Sequence, residues 1–215
     1  MSVGVGSRSD SHAVERNEPL EARILAFFGE SIDWSDPEQA LDTAGAALRE
    51  LAADQALLWE AVDGLDAGRL EPGLGAGGAY WFELAKSDSQ RPSVWLRYCP
   101  SGCVAPEHTH SSEVLALVLS GTYKQKLIGR GGGVGSPKDP INLFVRHERA
   151  GQVFALSPRQ AHETSSTAGS VILAVIPPQA VIRDAAAASA DSELRSKAEL
   201  ALRRLRRSAG DLFQS

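Results

Sequence analysis

Apolar residues change their spacing twice along this chain. Over "LEARILAFFGE", which begins at Leu20, and again from Pro37 to Gly64, they recur every three or four positions, as the buried stripe of a helix does. Leu41, Ala44, Leu48, Leu51, Leu58 and Val62 trace the second stripe. Just before it, "SDPEQ" offers Ser35 or Asp36 as the N-cap, with Pro37 at the first helical position. The pattern predicts a short helix and then one long amphipathic helix ending near Gly64. From Gly75 the spacing shortens. "AYWFELA", "SVWLRYC", "EVLALVL", "TYKQKLI", "NLFVRHE", "QVFALS" and "SVILAVI" are strand-like runs separated by turn residues. With no helical pattern between them, they predict an antiparallel sandwich or barrel. After Pro177 and Pro178 the helical period returns, with Leu194, Ala198, Ala201, Leu202 and Leu205 on one side. "RRLRR", Arg203 to Arg207, falls on that helix's solvated face, where positive charge suits a helix C-terminus.

These elements divide the 215 residues into a disordered polar tail (1–18), a helical segment packing on the barrel (19–74), the barrel (75–180) and a C-terminal helix (181–215). A net charge of −5, with acidic and basic residues interspersed, argues against a nucleic-acid partner. No apolar run reaches membrane-spanning length, and the first nineteen residues lack the apolar core of a signal peptide, so a cytoplasmic location is expected. Cys99 and Cys103 are the only cysteines and cannot complete a tetrahedral zinc site. They read as ordinary thiols in a reducing compartment. "GRGGGVGSPKDP" lacks the Gly-Lys-Ser/Thr ending of a phosphate loop and joins two strand-like runs, so a mobile hairpin loop near the barrel mouth is expected.

The candidate chemistry lies in the histidines. His108 and His110, in "CVAPEHTHSSEVLALVLSG", would project from one wall if that stretch is a strand, because residues i and i+2 share a face. That is half of a metal site; a surface His-x-His on a loop is the alternative. His147 reads as a surface residue, and His12 lies in the polar tail.

Gly102, five intervening residues, His-x-His and a strand ending at Gly121 together resemble the first motif of the cupin superfamily. Gly151 followed by "QVFALSPRQAH" resembles the second, with His162 eleven positions on. There Pro158 falls one residue late, and Arg159 stands where the family carries glycine. The resemblance covers Ala79 to Pro178. It implies a double-stranded β-helix, a jelly-roll barrel holding a metal on His108, His110 and His162. Three neutral imidazoles leave open positions and suit iron, zinc, nickel, manganese or copper. Many cupins add a carboxylate ligand, but counting four forward from His110 and seven back from Gly121 leads both times to Val114. Glu113 is one residue out of frame. It is expected to point away from the metal unless a bulge or tight turn re-aims it.

Within the superfamily, the helical N-terminal segment and three-histidine set resemble the thiol dioxygenases, of which cysteine dioxygenase is one. That resemblance implies Fe(II), a small-molecule substrate and dioxygen. The departures concern the substrate. The first barrel strand, "AYWFEL", has no arginine for a substrate carboxylate; no cysteine falls near Val114; and "SVILAVIPP" has no Ser-His-Tyr set. The expectation is therefore an iron(II) dioxygenase acting on a small organic molecule other than free cysteine. Tyr80, Phe82, Leu115, Leu117, Phe154 and Val175 are candidate lining, and Arg97, Tyr123 and Lys124 candidate polar anchors, with outward-facing positions open for each anchor. A lyase, isomerase or hydrolase cupin is the alternative chemistry. A sensing cupin is the alternative class, and it would leave an apolar helix face uncovered. Otherwise both helical flanks pack on the barrel or on a second subunit in a homodimer.

Overall fold

A computed structural model describes residues 18–29, 32–70, 78–86, 91–130, 140–158, 160–178 and 192–212. The polar tail and the glycine-rich stretch at 131–139, both singled out in the sequence, lie outside the described residues.

The first helical segment is α1 (Leu20–Leu25), continued by a 3-10 turn at Ala26–Phe28. The predicted long helix is two helices, α2 (Pro37–Ala53) and α3 (Gln55–Asp63). Asp36 caps α2, its carboxylate accepting from the Glu38 and Gln39 amides at 3.1 and 3.2 Å. The break is at Asp54, whose backbone (φ −80°, ψ 74°) leaves the helical region. Its amide closes α2 on the carbonyls of Glu50 and Leu51, and its carboxylate caps α3 through the Leu57 amide. Leu51 and Leu58 are seven residues apart, so the apolar stripe runs through the break and hides it from the pattern.

Among the described residues nine strands follow: β1 (Tyr80–Ala85), β2 (Ser93–Cys99), β3 (Cys103–His108), β4 (Val114–Ser120), β5 (Thr122–Arg130), β6 (Pro140–Arg149), β7 (Val153–Leu156), β8 (His162–Ser166) and β9 (Ser170–Ile176). They form two antiparallel sheets ordered β1-β2-β9-β4-β7 and β3-β8-β5-β6. Within these sheets β2 pairs with β9, β3 with β8, β4 with β7 and β5 with β6. The chain is therefore doubled back on itself and rolled, the jelly-roll topology. β3 and β8 are absent from the seven apolar runs because their inward positions are polar or small: Cys103 and Ala105 on β3, His162, Thr164 and Ser166 on β8.

The five-stranded sheet is covered on both faces, which is why β2, β4 and β9 are nearly continuous apolar runs. Val94, Leu96, Leu115, Leu117, Leu173 and Val175 join one core with the helices. Trp95, Val114, Ala116, Val118, Ile172 and Ala174 join another inside the barrel. α4 (Ser192–Leu212) packs through Ala198, Ala201, Leu202, Leu205 and Ala209. Arg203, Arg204 and Arg207 are exposed, as the solvated-face reading requires, but Arg206 is not simply solvated. Its guanidinium donates to the carbonyls of Val62, Asp63 and Leu65, tying α4 to the end of α3.

The cysteines correct another expectation. Cys99 ends β2, Cys103 begins β3, and the two are joined as a disulfide with their Cα atoms 6.1 Å apart. Gly102, at φ +79°, supplies the left-handed turn that brings the strand ends together. Among the described residues, no helix is long and apolar enough to cross a membrane.

Candidate metal centre and its cavity

His108 is the last residue of β3 and stands opposite His162, the first residue of β8. The register shifts between Ala105 and His108, a bulge that re-aims the strand end. His110 lies beyond the strand, in the irregular segment before β4, so strand alternation is not what pairs it with His108. The loop does that work. The ring centroids are 4.4 Å apart for His108 and His162, 5.0 Å for His110 and His162, and 5.2 Å for His108 and His110. One nitrogen from each ring lies within 4.8 Å of the other two.

Backbone carbonyls orient two of the rings. The Nδ1 of His108 is 2.7 Å from the carbonyl of Pro106, and the Nδ1 of His162 is 2.8 Å from that of Gln160. A carbonyl only accepts, so in the neutral ring each Nδ1 carries the proton and each Nε2 keeps its lone pair. The Nε2 atoms of His110 and His162 are buried without a hydrogen-bond partner. Desolvation pushes the pKa of His110 down to about 4, with His162 and His108 adding to the effect. Desolvation also lowers His162, against the pull of the Gln160 carbonyl. Neutral imidazoles with unsatisfied, converging lone pairs fit a divalent metal ion, which would remove the cost of leaving those acceptors bare.

The centre opens on a cavity of about 250 Å³ inside the barrel. Trp81, Val114, Ala116, Phe154, Leu156 and Ile172 form its apolar wall, and Arg97, Tyr123 and Thr164 its polar part. Of the six residues expected as lining, Phe154 alone faces the cavity. Tyr80, Phe82, Leu115, Leu117 and Val175 point to the helices instead. The choice was one of parity, and in a strand buried on both faces parity leaves no mark on the sequence. Trp81 and Thr164 were not anticipated.

Of the three candidate anchors, Lys124 is exposed, while Arg97 and Tyr123 are buried in the cavity wall. Arg97 is 4 % exposed, with its Cζ 5.9 Å from the Trp81 ring centre and 5.5 Å from that of Tyr123. It donates to Ser166 Oγ at 2.8 Å and to Cys103 Sγ at 3.2 Å. Desolvation lowers its pKa, but a guanidinium stays charged. Burial pushes the Tyr123 phenol up, so it remains protonated; its ring stacks on Phe154 at 4.8 Å.

Glu113 is partly buried and outside the three-histidine group, and desolvation raises its pKa. Val114, where the count lands, lines the cavity. Glu107 is exposed, as is His147 on β6, and His12 lies outside the described residues.

No protein-family model matches the chain, and no curated protein matches it. Solved structures with a similar arrangement include an RmlC-like cupin from Shewanella frigidimarina, 15 % identical over 49 % of this chain and 80 % of that one, with a TM-score of 0.37. A cupin superfamily protein from Desulfitobacterium hafniense is 16 % identical over 48 % of this chain and 81 % of its own, with a TM-score of 0.33. An oxalate decarboxylase from Bacillus subtilis is 12 % identical over 53 % of this chain and 29 % of its own, with a TM-score of 0.37. The jelly-roll assignment rests on the strand order given above.

Proposed function

We propose that the protein is a cupin-type, mononuclear non-haem iron(II) dioxygenase. Its metal ligands would be His108, His110 and His162, and its substrate a small organic molecule other than free cysteine. The observation that carries the reading is the pair of buried, unpartnered Nε2 atoms, on His110 and His162, beside a mostly apolar cavity that His108 and His110 line. Ferrous iron held there would supply open positions for substrate and dioxygen.

The chain's own groups do the rest. The Pro106 and Gln160 carbonyls hold His108 and His162 in the tautomer that presents Nε2. Trp81, Phe154, Leu156 and Ile172 exclude water from the substrate's apolar part. The cavity is smaller than the roughly 300–1,000 Å³ of pockets for drug-sized ligands, which suits a small substrate. The helices offer little support for a sensing role. Their apolar stripe is covered by the five-stranded sheet, and among their described residues only Trp59 and Leu200 are large apolar groups left exposed.

Metal analysis and oxygen uptake test the proposal. Iron-loaded protein should consume oxygen with its substrate, and His162→Ala should lose both bound iron and turnover. Full activity of a zinc or nickel form without oxygen would overturn the oxygenase and leave a lyase, isomerase or hydrolase. A homodimer belongs to the same reading, with light scattering as its measurement. So does a cytoplasmic location, in which reducing conditions would open the Cys99–Cys103 bond.

A further inference from the structure

We propose that Cys99 and Cys103 are a redox-active pair whose working group is the Cys103 thiolate, held as an anion by the Arg97 guanidinium. Its co-reactant is a low-molecular-weight thiol. The inference is independent of the proposed function, because Cys103 begins β3 and the metal ligand His108 ends it.

A buried cation needs a counter-charge, and Arg97 has no ion pair among the described residues. It is 4 % exposed, and its two hydrogen-bond acceptors are the Ser166 hydroxyl at 2.8 Å and the Cys103 sulfur at 3.2 Å. A disulfide sulfur is a weak, uncharged acceptor. A thiolate in its place is a full counter-ion. The guanidinium is charged in either state, so ionising Cys103 adds no lone charge to the interior and turns a bare cation into a neutral pair. Burial alone would keep a thiol protonated, and here the cation beside it reverses the preference. Cys99 is fully buried, without a cation among its hydrogen-bond partners, so its sulfur takes the proton.

The surroundings add no competing charge at Cys103. Ala79 shares its cluster with Cys99, and Ser166 stands opposite it on β8. The Tyr123 ring lies against Arg97, and its phenol stays protonated. Glu148, opposite Tyr123, is bound to Arg146 at 2.8 Å on β6, at the other edge of the sheet from β3. Glu83 of β1 stands opposite Trp95, not Arg97.

Opening the pair breaks the S–S bond and takes two electrons, supplied by two thiol groups that close to a disulfide of their own. Of the two protons those thiols lose, one goes to Cys99 Sγ and the other to solvent. Cys103 is left as the anion on Arg97. A stabilised thiolate favours the reduced form, so Arg97 makes this disulfide easier to open.

The test is a pH titration of ultraviolet thiolate absorbance on the full chain reduced with dithiothreitol, with the oxidised chain at the same metal content as the blank. A step should appear at least about one pH unit below the roughly 8.5 of a free thiol. It should persist in Cys99→Ser and vanish in Cys103→Ser. Arg97→Met should cut the thiolate present at neutral pH about tenfold, and Arg97→Lys, which keeps the charge, should recover most of it. In dithiothreitol buffers of stepped ratio, Arg97→Met should shift the balance ~10-fold toward the disulfide, about 30 mV for a two-electron couple. A low step retained in Cys103→Ser, or one that Arg97→Met leaves in place, would overturn the assignment. So would a midpoint in the unaltered chain at or above that of a free thiol, or a chain that cannot be oxidised to the intramolecular disulfide. Those two outcomes need no variant, so they decide the question even where a substituted chain does not fold.

Discussion

Gly102, Gly121 and Gly151 flank the strands and loop that bring the three histidines together, and each has positive φ, at +79°, +76° and +83°. Gly121 is the most constrained. A Cβ there would lie 2.5 Å from Ser170 Oγ and 2.9 Å from Thr167 Oγ1, two hydroxyls already bonded to each other. Gly121→Ala therefore combines backbone strain with a clash. It is expected to cost at least ~1–3 kcal/mol in urea unfolding while leaving metal stoichiometry unchanged. An unaltered unfolding midpoint would show that the β4–β5 turn is not the fixed point inferred here. His108, His110 and His162 could be singled out in the sequence because a ligand's chemical type is rare and those glycines set a counting frame. Arg97, by contrast, could be named but not placed, because every residue of β2 is buried and the sequence carries no sign of which side each one faces.

Elements were legible where their apolar pattern was strong and lost where function or a cap interrupts it. β8 is "HETSS", a strand whose inner face is a histidine and two hydroxyl residues, and no hydrophobic alternation survives in it. Asp54 breaks a helix without breaking its stripe, so the pattern predicts one element where capping makes two. The β2–β3 connection was misread for a different reason. Two cysteines four apart look unremarkable until a glycine turn places them at adjoining strand ends. Closing so short a loop should stabilise the fold by about 2 kcal/mol in the chain-entropy picture. Reductant should lower the unfolding free energy of the parent by that amount and leave Cys103→Ser unaffected. Equal sensitivity of the two proteins to reductant would show that the bond is not formed in solution.

Across the whole molecule, the five-stranded sheet acts as a partition. One face meets α1 and α2 and shares an aliphatic core with α3 and α4, and the other closes the cavity below the histidines. Stability and ligand selection are therefore separated by the thickness of a single strand, and neighbouring residues of β9 should respond differently to the same change. Leu173 is fully buried against the helices, and Leu173→Ala is expected to cost ~2–5 kcal/mol by leaving a hole in that core. Bound metal and the ranking of ligands by size should stay as they were. Ile172, one residue earlier, borders the cavity, and Ile172→Ala adds its lost volume to space a ligand can occupy. That variant should shift the ranking toward bulkier ligands, read as ligand-induced changes in melting temperature across a series of small apolar molecules. If Leu173→Ala alters the ranking as much as Ile172→Ala does, the two faces are coupled and the sheet is not the divider its packing indicates.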